Sequence, residues 1–206
     1  MITRRLAAGA LVPALLAAGC AKGSTATQPT TAASAPAPGV TLPPDYFAQF
    51  VPAPSEVPPG MVLVVKGSGT RDLETVAGYS GAAAKAAAAA RLTEHGFVKA
   101  YVAQYVNQST GEVLSVLASG FHTAAGATAD YGDDIKTVAG TPLTVETVGD
   151  ASAASVEPVP GPVAGQLLIL RFRKNRVTWS LAYQARPTAN PAVAIAVAKA
   201  ILARFT

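Results

Sequence analysis

The sequence predicts an α+β fold: an antiparallel sheet built from hairpins, packed against an Ala-rich helix and a C-terminal helix. Three observations predict it. Residues 97–107 alternate with period two, and residues 112–119 return as a partner after the turn Gln108-Ser109-Thr110-Gly111. Residues 166–173 and 176–185 repeat that arrangement around Lys174-Asn175. Helical signals stand between and after the hairpins: an alanine run at 82–90, and Val193, Val197, Ile201 and Phe205 at four-residue spacing. Hairpins imply antiparallel pairing, and interspersed helices imply a layer laid on the sheet.

The chain opens with Arg4 and Arg5, an uncharged apolar run over residues 6–18, and Ala17-Ala18-Gly19-Cys20. A charged start, a short apolar stretch and a small-residue cleavage site read as a secretory signal. The run is shorter than the ~20 residues a membrane-spanning helix needs. Leu15-Leu16-Ala17-Ala18-Gly19-Cys20 resembles the lipobox of bacterial lipoproteins. That resemblance implies a signal peptide at 1–19, a diacylglyceryl group on the Cys20 thiol, and anchoring on the extracytoplasmic face of the cell membrane. The family most often has Leu three residues before the cysteine, where this chain has Ala17. An ordinary signal peptide would instead leave Cys20, the only cysteine of the sequence, as a free thiol. Two acyl chains, at ~0.8 kcal/mol per buried CH₂, make a lasting anchor.

The precursor carries 16 basic and 12 acidic residues, a formal net charge of +4. Removal of Arg4 and Arg5 leaves 14 basic against 12 acidic, a net +2. That near-neutral balance, together with export, argues against a nucleic-acid partner, which requires a concentrated basic face. A single cysteine permits no internal disulfide, so the domain depends on its core. Residues 20–44 are mostly Ala, Thr, Ser and Pro, with Lys22 as the one charge and no large side chain before Val40 and Leu42. Such a stretch buries too little to offset its ordering entropy, and it reads as a disordered tether. Its Thr and Ser content is similar to that of O-glycosylated stalks.

Residues 45–206 make one domain by length. Tyr46, Phe47, Phe50 and Val51 begin it with a short packed segment, and Pro52, Pro54, Pro58 and Pro59 interrupt regular structure. Residues 61–66 form a continuous β-prone run that predicts a buried strand. Ser80 is expected to cap a helix running to His95, with Gly96 as its stop. On the following strand Val98, Ala100, Val102 and Val106 are expected to share one face, with Phe97, Tyr101, Ala103 and Tyr105 on the other. Residues 120–135 predict a short helix broken by Gly126 and Gly132, 143–148 a strand, and 149–165 a proline-bearing loop. The last strand places Val177, Trp179, Leu181 and Tyr183 on one face. Asn190-Pro191 then starts the final helix with a cap and a first-turn proline. The strand pair ending in a capped C-terminal helix is similar to small exported PsbP-like domains and to uncharacterised actinobacterial lipoproteins.

No motif for catalysis, metal or cofactor emerges. His95 sits at a helix end and His122 after a strand, neither at ligand spacing to an acid, and no further cysteine exists for a zinc site. Gly78-Tyr79-Ser80-Gly81-Ala82 lacks the second glycine of a nucleophile elbow. Gly67-Ser68-Gly69 lacks the rest of a phosphate loop. Asp130, Asp133 and Asp134 offer oxygen ligands without EF-hand spacing, which reads as a solvated helix end. Two sets remain as candidate ligand contacts. Arg171 and Arg173, with Lys174 and Arg176, surround a hairpin tip that suits anionic lipid headgroups or acidic wall polymers. Tyr101, Tyr105, Trp179 and Tyr183 suit a half-wet groove, with core packing as the alternative.

The expectation is therefore a membrane-anchored lipoprotein displaying a non-catalytic binding or interaction domain. Its partners are the membrane, through the lipid anchor, and an envelope lipid, a wall polymer or another envelope protein. The alternative is an envelope lipid or glycolipid carrier, which requires an apolar cavity along the Val and Tyr strand faces. A hydrolase would require the acidic cluster and His122 to converge on a serine.

Overall fold

The computed structural model describes residues 46–137, 139–161 and 164–205. The signal peptide, Cys20 and the tether lie outside the described residues. Eight strands form a single antiparallel sheet, which with its helices makes an α+β fold.

The strands are β1 (Val62–Leu63), β2 (Gly69–Arg71), β3 (Phe97–Asn107), β4 (Glu112–Phe121), β5 (Thr141–Leu143), β6 (Ala151–Val159), β7 (Gly165–Lys174) and β8 (Val177–Ala185). The helices are α1 (Leu73–Gly78), α2 (Lys85–Glu94), α3 (Ala124–Lys136) and α4 (Pro191–Leu202). The sheet order is β1-β3-β4-β8-β7-β6-β5, with β2 beside β1 on the outer edge of β3. Both predicted hairpins are present, β3–β4 and β7–β8, and they meet at the centre through the β4–β8 pairing.

The two faces of the sheet are covered differently. One face carries Tyr105, Leu114, Val116, Leu168, Leu170, Phe172, Trp179, Leu181 and Tyr183, all buried. Cross-strand register sets Tyr105 beside Leu114, Leu114 beside Tyr183 and Tyr183 beside Leu168. α4 closes this face with Ala194, Val197, Ala198 and Ile201, the face expected from its four-residue stripe. Asn190 accepts from the Ala192 amide, with Pro191 in the first turn. A 3₁₀ helix at Tyr46–Phe50 completes the cover: Phe50 stacks on Phe205 at 4.9 Å and meets Trp179 edge-on. The opposite face carries Ala100, Leu117 and Phe121, packed under Val76 and Ala77 of α1, Ala88 and Leu92 of α2, and Ala127 of α3.

Several segments depart from expectation. Residues 61–66 are not a buried strand. Two residues pair with β3 at the sheet edge, a 3₁₀ turn follows at Val65–Gly67, and Val62 and Val65 are exposed. An apolar run cannot distinguish an edge from a centre, because the neighbouring strand decides. Ser80 lies in the connection between two helices and caps neither. Asp72 caps the unforeseen α1 by accepting from the Thr75 amide, and α2 begins at Lys85 without a side-chain cap. Gly96, at φ +72°, does terminate α2, where the left-handed backbone favours glycine.

A β-bulge between Phe97 and Lys99 exchanges the first two residues of β3 between faces. Phe97 packs with the helical cover and Val98 with the main core, the reverse of strict alternation. α3 runs unbroken through Gly126 and Gly132, capped by Thr123, which accepts from the Gly126 amide. Within 143–148 only Leu143 is in a strand, at the end of β5. The largest departure is 149–165. Its first half is the nine-residue strand β6, paired along its whole length with β7. Ala151, Ser152, Ala153, Ala154 and Ser155 are small on both faces and carry no alternation. β6 is a strand because the edge of β7 must be paired.

Candidate functional site

On the helical side of the sheet the cover is incomplete, and the gap forms a cleft of about 460 Å³. That falls within the ~300–1,000 Å³ typical of small-molecule sites. One wall is α1, α2 and their connection, through Val76, Tyr79, Ala88 and Arg91. The other wall is α3, through Asp130, Tyr131 and Asp134. The two walls touch at one end, where α3 meets the C-terminus of α2. A Cβ on Gly126 would sit 2.0 Å from the His95 carbonyl oxygen, so only glycine allows this approach.

The floor follows from strand periodicity. On β8, Trp179 and Leu181 point into the main core, which turns Thr178 and Ser180 toward the cleft. Register adds Ser119 beside Thr178, and sets Ser180 between Leu117 and Arg171. Ile169 and Glu157 extend the floor across β7 and β6. The floor is thus largely hydroxyl and charge, opposite to the apolar face beneath it.

The acidic residues of α3 do not act as one cluster. Asp130 is buried, 8 % exposed; its Oδ2 accepts from Thr178 Oγ1 at 3.3 Å, and its Oδ1 lies 3.9 Å from His95 Nδ1. Burial raises its pKa to about 6, reinforced by the charge of Asp134 and opposed by Arg91, Thr178 and His95. Asp133 pairs with Lys136 at 2.9 Å, and that hydrogen bond lowers its pKa. Asp134 accepts from Arg171 Nε at 2.5 Å. Tyr131, also in the wall, has its phenol pKa raised by burial, with Arg173 and Arg171 opposing. Among the described residues, no group of three or more His, Cys, Asp or Glu is placed to hold a metal ion.

The candidate contacts are dispersed. Tyr105, Trp179 and Tyr183 are core side chains rather than walls of an open groove, at 1 %, 2 % and 3 % exposure. Each sends its polar end to a partner: Tyr105 Oη donates to the Pro52 carbonyl, Trp179 Nε1 to the Phe50 carbonyl and Tyr183 Oη to Glu112. Trp179 also stacks on Phe172 at 4.9 Å. Tyr101 packs partly buried against the same core. The basic hairpin tip is not one free patch. Arg171 is buried in the cleft against Asp134, while Arg173 and Lys174 share Asp150 at 3.3 and 3.1 Å. Alternation along β7 turns Lys174 away from Arg171 and Arg173, and Asp134 and Asp150 pair with all three.

The acidic cluster meets His95 and not His122. Asp133 Oδ2 is 3.6 Å from His95 Nε2, whereas His122 lies beside Gly96. The residues missed from sequence are Arg91, Ser119, Asp130 as a cleft group, Thr178 and Ser180. Two signals pointed to them: hydroxyls alternating with Trp179 and Leu181, and a cation three residues from Ala88 on the inward side of α2.

No protein family and no curated protein matches this sequence. Among solved structures, the chain is similar to the extracellular domain of PknH from Mycobacterium tuberculosis. The TM-score is 0.53 at 11 % identity, over 80 % of this chain and 97 % of that one. The likeness establishes a shared α+β fold. No helix among the described residues is long and apolar enough to cross a membrane.

Proposed function

We propose that residues 1–20 export and lipidate the chain, and that the domain over 45–206 serves outside the cytoplasm as a non-catalytic binding module. The observation that carries the binding reading is the cleft over β4, β8 and β7, with its hydroxyl and charged floor. Where its groups are engaged supports binding over catalysis: Thr178 donates to Asp130, and Arg171 to Asp134. The extracellular origin of the similar PknH domain supports the extracytoplasmic assignment, as does the lipobox at Cys20. The carrier alternative draws no support from the face bearing Tyr105, Trp179 and Tyr183, which α4 and the aromatic cluster fill.

Native mass spectrometry of the chain recovered from its host envelope tests the ligand. A retained small polar molecule, lost when Ser180→Leu blocks the floor, is the expected result. A retained lipid unaffected by that substitution would replace the binding reading with the carrier one. Labelled palmitate incorporated by the wild type and not by Cys20→Ser is expected of the anchor. Equal labelling of both would overturn it.

A further inference from the structure

Arg91 is a cleft cation that no carboxylate of the described residues contacts directly. It follows Ala88 by three positions and precedes Leu92, both buried, so it stands on the inward side of α2. Its Nε is buried and has no hydrogen-bond partner. It forms no ion pair within 4.0 Å with any carboxylate of the described residues, although its charge still acts on Asp130 and Asp133 from farther away. Asp130 is held by Thr178, Asp133 by Lys136 and Asp134 by Arg171. A guanidinium half-withdrawn from water without a contacting counter-ion is costly. Its planar fork of five donors matches an oxyanion in bidentate geometry. Nearby on the floor stand the Ser119 and Ser180 hydroxyls. They offer both donors and acceptors to a ligand's hydroxyl groups.

We infer that the cleft takes a small ligand carrying an oxyanion beside hydroxyl groups, the class of sugar acids and sugar phosphates, with Arg91 holding the oxyanion. This rests on reading the cleft as the binding site. The class is set by two features: one guanidinium fork whose buried Nε has no hydrogen-bond partner, and a hydroxyl floor suited to polyols.

Arginine Nε–Hε resonances of the ¹⁵N-labelled full chain in detergent micelles provide the test, with glucuronate, glucose 6-phosphate, inorganic phosphate and glucose as probes. The Arg91 signal is assigned by its disappearance in Arg91→Lys, whose backbone spectrum reports that the fold is kept. Glucuronate or glucose 6-phosphate should shift the Arg91 signal at concentrations where glucose does not. Arg91→Lys should weaken that probe by about tenfold to a hundredfold, the loss of a charge-assisted bidentate contact. The preferred probe tells a carboxylate from a phosphate ligand. Glucose perturbing the cleft equally in wild type and Arg91→Lys would overturn this inference and leave the cleft reading standing. Perturbations confined to residues outside the cleft would overturn both. No shift of Arg91 with any anion at millimolar concentration would overturn the inference.

Discussion

Replacing Asp130 with asparagine should stabilise the protein at neutral pH and change little in mild acid. Asp130 is buried under α3, and its pKa rises from 3.8 to about 6 on folding, chiefly through lost solvation. A carboxyl with a raised folded-state pKa favours the native state most when protonated. That contribution is fully present below pH 3.8 and lost as pH rises through about 6. Two pKa units at ~1.4 kcal/mol each put the cost of the neutral-pH charge at about 3 kcal/mol. Asparagine keeps an oxygen to accept from Thr178 Oγ1 and removes the charge. Urea unfolding of wild type and Asp130→Asn at about pH 4 and about pH 7.5 measures the difference. The variant should gain up to about 3 kcal/mol at the higher pH, or about 6–12 °C in Tm for a domain of this size, and almost nothing at the lower. An equal change at both pH values would refute the reasoning. So would a loss at neutral pH, which would mean that Arg91 and His95 offset the charge by more than burial costs it.

Two glycines of α3 should respond oppositely to the same substitution. Gly126→Ala places a methyl 2.0 Å from the His95 carbonyl and should destabilise by about 1–3 kcal/mol. Gly132→Ala meets nothing within 4 Å and should gain roughly 0.5–1 kcal/mol from helix propensity. Thermal unfolding of both variants checks this, and stabilisation by Gly126→Ala would contradict the close approach of α2 and α3. Leu181→Ala, at a fully buried position beneath α4, should cost about 2–5 kcal/mol in urea unfolding. A much smaller loss would mean that this face is not tightly filled.

Elements whose signals are local are legible from residue order alone. The two hairpins have period-two alternation and their own turn residues. α4 has Asn190, Pro191 and a four-residue stripe, and Gly96 marks the end of α2. None of these needs a distant partner to be recognised. Tertiary structure alone decided the rest. β6 is a run of small residues that becomes a strand only because the edge of β7 needs its backbone hydrogen bonds satisfied. Residues 61–66, strongly β-prone, are limited to an edge because β3 offers no other place to pair. The site divides in the same way. Alternation on β8 already implied that Trp179 and Tyr183 share a face, and the packing of α4 decided that this face is core. Their neighbours Thr178 and Ser180 became the floor of a cleft only because α2 and α3 cover the opposite face incompletely. Arg91 stands out for the same reason: whether a helix cation has a contacting counter-ion depends on where the acids of another helix are held, and in α3 each is held by a different partner.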